Sequence, residues 1–159
     1  MLTKEQLHEL FDYRDGELYW KVRTSNRITI GDKAGCNCPD GYKNARVNGV
    51  LYGVHRLIFL MHNGWMPVEI DHLDLNKANN AIENLRALTR SQNNYNVGIK
   101  SNNTSGIKGV SWLKSRNKWL VQVTHTKGKF VAYIKDLELA ELVAIEARNK
   151  FHGEFARHN

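Results

Sequence analysis

The chain of 159 residues allows one ordinary domain or two small ones. No segment approaches about 18 consecutive apolar residues and the first residues lack a signal-peptide pattern, which argues against a membrane or secreted protein and leads us to expect a soluble, cytoplasmic one. A net charge of +7 and a pI near 9.5 indicate a polyanionic partner.

The positive charge is concentrated towards the C-terminus. Residues 1–99 carry 12 basic and 11 acidic side chains, whereas residues 100–159 carry 11 basic and only 5 acidic ones. Between Glu83 and Asp136 there is no Asp or Glu, and this gap holds ten basic residues: Arg86, Arg90, Lys100, Lys108, Lys114, Arg116, Lys118, Lys127, Lys129 and Lys135. Such a run exceeds what solubility requires and indicates an anion-binding surface.

The first third of the chain predicts a helix followed by hairpins. Residues 2–11 are expected to be helical, with Thr3 as the N-cap. The turn signal Asp15-Gly16 and the alternation of residues 42–47 and 50–54 predict a small antiparallel sheet that serves as a scaffold.

Two cysteines, Cys36 and Cys38, are separated by one residue. This spacing is poor for a zinc site, and the chain has no second cysteine pair to complete four ligands. We therefore expect reduced cysteines and no zinc.

The middle of the chain has the densest polar pattern. Residues 54–62 predict an amphipathic helix. Residues 68–95 predict a strand, a loop rich in Asn and Asp, a second strand and the start of a helix. Such a hairpin would bring His72, Asn84 and Asn93 close together.

The C-terminal third predicts a separate small domain. A run rich in Gly, Ser and Asn at residues 98–106 is interpreted as a linker. Residues 107–134 alternate in three segments and predict an antiparallel meander, and residues 136–151 predict a helix. We expect its buried stripe to consist of Leu139, Leu142, Val143, Ala147 and Phe151. The expected domains are residues 1–97 and residues 107–159, in an α+β fold.

The middle stretch resembles the HNH nuclease family. The resemblance rests on the step Asp71-His72, on I-E-N-L-R, which contains Asn84, and on S-Q-N-N, which contains Asn93 and Asn94. It implies a ββα-metal core at about residues 53–97, with His72 as general base and with Asn84 bracing the loop and orienting the imidazole. The family's final His is replaced here by Asn93.

Phosphodiester hydrolysis requires a general base and ligands for a metal ion, and these residue types can supply both. A base must deprotonate water, which His does near neutral pH, and a cation must stabilise the charge that develops on the phosphate. Magnesium prefers oxygen ligands and keeps several waters, so one carboxylate and one amide suffice. We expect Asp71 and Asn93 to bind Mg²⁺, with Asn94 as the alternative ligand and Mn²⁺ as the alternative ion. The candidates for phosphate contact are His55, Arg56 and Arg86, and a purely structural role is the alternative for His55.

The C-terminal third resembles the ethylene-response-factor (APETALA-type) DNA-binding domain of plants. The matching pieces are S-G-I-K-G-V-S-W, N-K-W-L-V-Q-V, the Ala-rich helix and the ending H-G-E-F-A. The resemblance implies that a three-stranded sheet packed on one helix enters the major groove. The expected contacts are Lys108, Ser111, Leu113, Lys114, Arg116, Lys118, Gln122, Thr124 and Lys129. Ser111 and Leu113 replace the family's guanine-reading arginines, which favours contacts with phosphate.

These patterns together predict a metal-dependent HNH endonuclease of homing or mobile-element type, from a phage or its host. It would act on duplex DNA as a monomer or weak dimer and nick one strand per active site. One alternative is a non-catalytic DNA-binding regulator that retains the nuclease shell. Another is a protein that binds or cleaves RNA, because basic sheets with aromatic residues also serve RNA.

Overall fold

The computed structural model describes residues 2–158, which form two compact units. The N-terminal unit runs to Leu88 and the C-terminal unit begins at Thr89. The domain limits predicted from the sequence differ from this boundary and stay a prediction. The mixture of small antiparallel sheets and helices is that of an α+β protein.

Within residues 2–88, the N-terminal unit contains two α-helices and seven short strands. In chain order these are α1 (Lys4–Leu10), β1 (Phe11–Arg14), β2 (Glu17–Trp20), β3 (Cys36–Asn37), β4 (Lys43–Val47), β5 (Val50–Gly53), α2 (Val54–Asn63), β6 (Glu69–His72) and β7 (Leu85–Leu88). The strands pair antiparallel in three sheets, β1-β2, β3-β4-β5 and β6-β7. The predicted single scaffold sheet is therefore two sheets.

Local signals place the first helix and its neighbours. The Thr3 side chain accepts the Gln6 backbone N–H and the Gln6 side chain accepts that of Thr3, so the predicted cap is confirmed. The helix is shorter than predicted because Phe11 already pairs with Trp20 in the hairpin. Asp15 and Gly16 both have positive φ, as their two-residue turn requires.

The core of the N-terminal unit surrounds α2. Val54, Leu57 and Ile58 are fully buried, and Gly64 ends the helix in the left-handed conformation at φ 76°. The same core includes Ile70 of β6 and Leu85 of β7. The polar hairpin is therefore attached to the core through apolar residues of both strands, Ile70 on β6 and Leu85 and Ala87 on β7.

The C-terminal unit is a meander covered by a long helix. Its elements are α3 (Arg90–Tyr95), β8 (Val110–Leu113), β9 (Lys118–His125), β10 (Gly128–Ile134) and α4 (Leu137–His152), with the sheet order β10-β9-β8. The predicted meander and helix are confirmed. Asp136 caps α4 by accepting the backbone N–H of Leu139.

The predicted buried stripe of α4 is wrong at its first two positions, while Val143 packs against the core as predicted. Leu139 and Leu142 are 51% and 60% exposed, whereas Ala140 and Ala144 are fully buried against Val110 and Val121 of the sheet. Ala147 is buried as predicted. Small residues let the helix approach the sheet closely, and this packing outweighs the larger hydrophobicity of the leucines.

The run predicted to be a linker belongs to the C-terminal unit. Ser105 Oγ donates to the carbonyl oxygens of Ile107 and Val110, and Asn103 Nδ2 also donates to the carbonyl oxygen of Ile107. These contacts tie the run to the start of β8. No helix within residues 2–158 is long and apolar enough to cross a membrane.

Candidate nuclease site

The hairpin β6-β7 positions the residues on which the sequence prediction centred. Its register pairs Asp71 with Arg86 and His72 with Leu85. Alternation along β6 buries Ile70 and His72 and leaves Asp71 half-buried, because successive side chains of a strand point to opposite faces. The predicted strand, loop and strand are confirmed.

The imidazole of His72 is 3% exposed and has polar and aromatic neighbours. Its Nε2 lies 3.1 Å from Asn80 Oδ1. The ring centroid of His55 is 5.5 Å away and that of Tyr42 is 6.0 Å away. His72 on β6 thus has neighbours from the polar loop, from the start of α2 and from the segment before β4.

His55 is kept neutral by its surroundings. Burial, followed by the neighbouring His72 and Arg56, lowers its pKa from 6.5 to about 4. Its Nδ1 is buried and has no hydrogen-bond partner within residues 2–158. A side chain at residue 53 would collide with the His55 ring, since a Cβ on Gly53 would lie 2.6 Å from Cε1. Burial likewise raises the pKa of Tyr42.

Asn84 braces the polar loop. Its Oδ1 accepts the backbone N–H of Asp74, and its Nδ2 donates to Asp74 Oδ1 and to the carbonyl oxygen of Asn79. Its own carbonyl accepts the N–H of Leu73. Hydrogen bonds from Asn79, Asn76 and Asn84 lower the pKa of Asp74, which favours its charged form. These contacts hold the chain immediately after His72.

The predicted phosphate contacts are engaged within the N-terminal unit. The Arg86 guanidinium forms an ion pair with Asp71, at 2.8 Å between Nη2 and Oδ2. The Arg56 guanidinium donates to the carbonyl oxygens of Pro67 and Val68 and so holds the segment that enters β6. These contacts favour structural roles for both arginines, and their contact with phosphate stays a prediction.

The donor chemistry of the predicted metal ligands fits a hard cation. Within residues 2–158 no cluster of three or more His, Cys, Asp or Glu side chains could hold a metal ion. Magnesium does not need such a cluster, because it binds through one or two protein oxygens and keeps its waters. Asp71 supplies a carboxylate, and Asn93 supplies an amide in the C-terminal unit. Asn93 lies half-buried in α3, whose start is fixed by Thr89, and Asn94 is exposed.

In the C-terminal unit, the predicted DNA contacts lie mainly on one face of the sheet. The register pairs Ser111 with Leu120, Leu113 with Lys118, and Lys129 with Thr124, and these residues alternate with Val121 and Val123, which pack under the helix. The face opposite α4 therefore carries six of the predicted contacts: Ser111, Leu113, Lys118, Gln122, Thr124 and Lys129. Lys114 and Arg116 lie in the exposed turn between β8 and β9.

Lys108 differs from the other predicted contacts. Its Nζ donates to the carbonyl oxygen of Tyr95. Burial, with Arg148 and Arg157 nearby, lowers its pKa to about 8. Lys108 therefore has a structural contact within this unit, and its contact with DNA stays a prediction. On the helix side, Trp112 and Trp119 pack edge to face with ring centroids 4.9 Å apart.

A groove of about 420 Å³ adjoins the open face of the sheet. One wall is the run that includes Val97, Ile99 and Asn102, and the other includes Ser111 and Gln122. The groove has amide and hydroxyl groups beside apolar ones. It widens the surface that this unit offers to a ligand beyond the sheet itself.

Sequence reasoning missed Asn80 and Tyr42 as neighbours of His72. Asn80 stands beside Asn79 in the loop, and nothing in the sequence distinguishes the buried amide from the half-buried one. Tyr42 is far from His72 along the chain and follows the turn at Asp40 and Gly41. Only tertiary packing brings its ring to the site.

Comparisons with known proteins single out the same stretch of the chain. The sequence profile of a family described as HNH endonuclease matches residues 52–95. Protein 3.8 of Escherichia phage T7 is 38% identical over 107 residues, which are 65% of this chain and 87% of that protein. An uncharacterised HNH endonuclease of Acanthamoeba polyphaga mimivirus is 34% identical over 113 residues, which are 67% of this chain and 56% of that protein. No solved structure matches the chain.

Proposed function

Because the chain belongs to the HNH endonuclease family, we propose that it is a metal-dependent endonuclease that hydrolyses phosphodiester bonds of duplex DNA. The observation that carries the proposal is the buried imidazole of His72 on a strand that also carries the carboxylate of Asp71. A base and an oxygen donor on adjacent residues are the minimum that this hydrolysis needs.

We assign His72 as the base that takes a proton from the attacking water. The loop after it is held by Asn84, so the imidazole is attached to a stiff backbone. His55 beside it is neutral near pH 7, since its pKa is about 4, and adds no positive charge that would compete for the proton.

Asp71 and Asn93 stay the predicted metal ligands. A bound Mg²⁺ would stabilise the negative charge that develops on the phosphate and the departing 3′ oxygen. Arg86 holds the Asp71 carboxylate in place through the ion pair between them. Removing the positive partner would leave a half-buried carboxylate less well oriented.

The open sheet face of the C-terminal unit is the proposed surface for duplex DNA. Lys118 and Lys129 flank the polar side chains of Gln122 and Thr124 on that face. Contacts of lysine with phosphate give affinity and register without reading sequence. The resemblance to the plant DNA-binding domain supports this use of the sheet.

One site per chain would cut one strand, so a monomer should nick. The relatives from a phage and a virus fit a mobile-element or homing role. The test is incubation of supercoiled plasmid with the full chain in Mg²⁺, in Mn²⁺ and in chelator. Nicked circles that appear only with metal support the proposal.

Binding of duplex DNA without cleavage in any of these conditions would favour the non-catalytic regulator. Preferential binding or cleavage of RNA in a competition with duplex DNA would favour the RNA alternative. Immediate linear product at low protein concentration would contradict the nicking monomer.

A further inference from the structure

Asn80 is buried in a way that stability does not explain. It is 1% exposed, and its Nδ2 has no hydrogen-bond partner within residues 2–158. An unsatisfied buried donor costs about 1–3 kcal/mol, and a leucine of similar shape would avoid that cost. Among the described residues, the Asn80 carboxamide makes one side-chain hydrogen bond, between Oδ1 and His72 Nε2 at 3.1 Å.

That contact determines where the imidazole carries its proton. A neutral imidazole has one N–H donor and one nitrogen with a lone pair, and an amide oxygen only accepts hydrogen bonds. With Oδ1 facing Nε2, the proton of neutral His72 must be on Nε2. The lone pair is then on Nδ1, which is the nitrogen able to accept a proton.

Other side chains near His72 do not perform this task. His55 and Tyr42 approach it as rings, with centroids 5.5 and 6.0 Å away. The Asn84 side chain bonds to Asp74 and to the backbone of Asn79. Within residues 2–158, Asn80 is the side chain that hydrogen-bonds the His72 ring.

We propose that Asn80 is a positioning residue that fixes the tautomer of His72, with the proton on Nε2 and with Nδ1 as the atom that accepts the proton of water. The inference rests on the proposed function of the same site. In the reaction the water oxygen bonds to phosphorus, the bond from phosphorus to the 3′ oxygen breaks and the water proton moves to Nδ1. The 3′ oxygen then takes a proton from solvent.

The opposite orientation of the carboxamide has the opposite consequence. If Nδ2 faced the ring, it would donate to Nε2, and the ring proton would be on Nδ1. No ring nitrogen would then be free to accept a proton from water. A measurement of the His72 tautomer therefore shows which end of the Asn80 carboxamide, Oδ1 or Nδ2, faces the ring.

The first measurement is nitrogen NMR of the full chain labelled with ¹⁵N-histidine, at a pH where imidazoles are neutral. The signals of His72 are assigned by their loss in His72→Ala. A protonated Nε2 and an unprotonated Nδ1 are expected. A proton on Nδ1 would overturn the proposal, whether or not the protein cuts DNA.

The second measurement compares Asn80→Leu with Asn79→Ala. Asn79 is the adjacent amide, and its side chain bonds to Asp74 and Ala81 but not to His72. Asn80→Leu is expected to lower the single-turnover nicking rate about 10- to 100-fold, typical of losing a group that orients a working imidazole. DNA affinity should hardly change, and the histidine spectrum should show mixed tautomers. Asn79→Ala should keep the Nε2 proton.

Asn80→Asp supplies a rescue, because a carboxylate also accepts from Nε2–H. It should retain the tautomer and nick faster than Asn80→Leu. Equal nicking rates for wild type and a folded Asn80→Leu would refute the role of Asn80. Failure of the wild type to nick any DNA would refute the proposed function instead, and the tautomer measurement would still decide the hydrogen-bond assignment.

Discussion

Acidification should destabilise the N-terminal unit through His55. Burial, reinforced by His72 and Arg56, lowers the pKa of this ring from 6.5 to about 4, so the unfolded chain takes up the proton first as the pH falls. The stabilisation is complete above pH 6.5 and is lost progressively as the pH falls towards about 4. The His55→Phe variant keeps a ring beside Tyr42 and removes the titration.

The size of the effect follows from the interval between the two pKa values. From 6.5 to about 4 is roughly 2.5 pH units, each worth about 1.4 kcal/mol, which sets an upper limit near 3.5 kcal/mol. Because His55 is only partly buried, solvent reduces this figure, and we expect about 2 kcal/mol.

Urea unfolding at pH 7 and pH 4 measures this loss. The buried indole of Trp20 reports on the N-terminal unit by NMR. The wild type should lose about 2 kcal/mol more than His55→Phe between the two pH values. An equal pH dependence in the two proteins would show that His55 is not held neutral in the fold.

Three further changes test the loop, the meander and the open face. Asn84→Ala removes two donated hydrogen bonds and one accepted, and should lower the free energy of unfolding by about 1–3 kcal/mol and slow nicking. Gly109→Ala should lower the free energy of unfolding by about 1–3 kcal/mol more than Gly106→Ala does, as measured by thermal unfolding. Both glycines have positive φ, but only at Gly109 would the new Cβ collide with a neighbour, the Gln122 carbonyl oxygen at 2.8 Å. Lys118→Gln with Lys129→Gln should weaken duplex binding and reduce the slope of log affinity against log salt by about 2.

Each of these has an outcome that would contradict it. Unchanged stability of Asn84→Ala would mean that water replaces its contacts, and equal costs at the two glycines would show that β9 yields to a new Cβ. For DNA binding, Lys150→Gln near the end of α4 is the matched control. The same salt slope in the control and in the double variant would reject the open face as the DNA surface.

The sequence was sufficient where the structure is decided locally. Residues close together in the sequence predict three features that the structure contains: the Thr3 cap, the turn at Asp15-Gly16 and the hairpin around His72. Packing between distant residues was harder. Hydrophobicity predicts Leu139 and Leu142 as core residues, but the close approach of α4 to the sheet buries Ala140 and Ala144 instead.

The candidate site shows the same division. The polar residues His72 and Asn84 could be singled out because the resemblance gave them roles. Asn80, by contrast, is one of several amides in the loop, and its burial depends on the fold. The neighbourhood of Tyr42, His55 and His72 joins three distant segments, so no local pattern could have indicated it.

We expect His72 to act in the chemical step and not in holding DNA. The most direct test is the single-turnover nicking rate of supercoiled plasmid in Mg²⁺ for wild type and His72→Ala, with duplex affinity measured in chelator for both. We expect nicking to fall by about 100-fold or more while affinity stays nearly the same. Equal nicking rates, or a loss of binding as large as the loss of nicking, would contradict the assignment of His72 as the base.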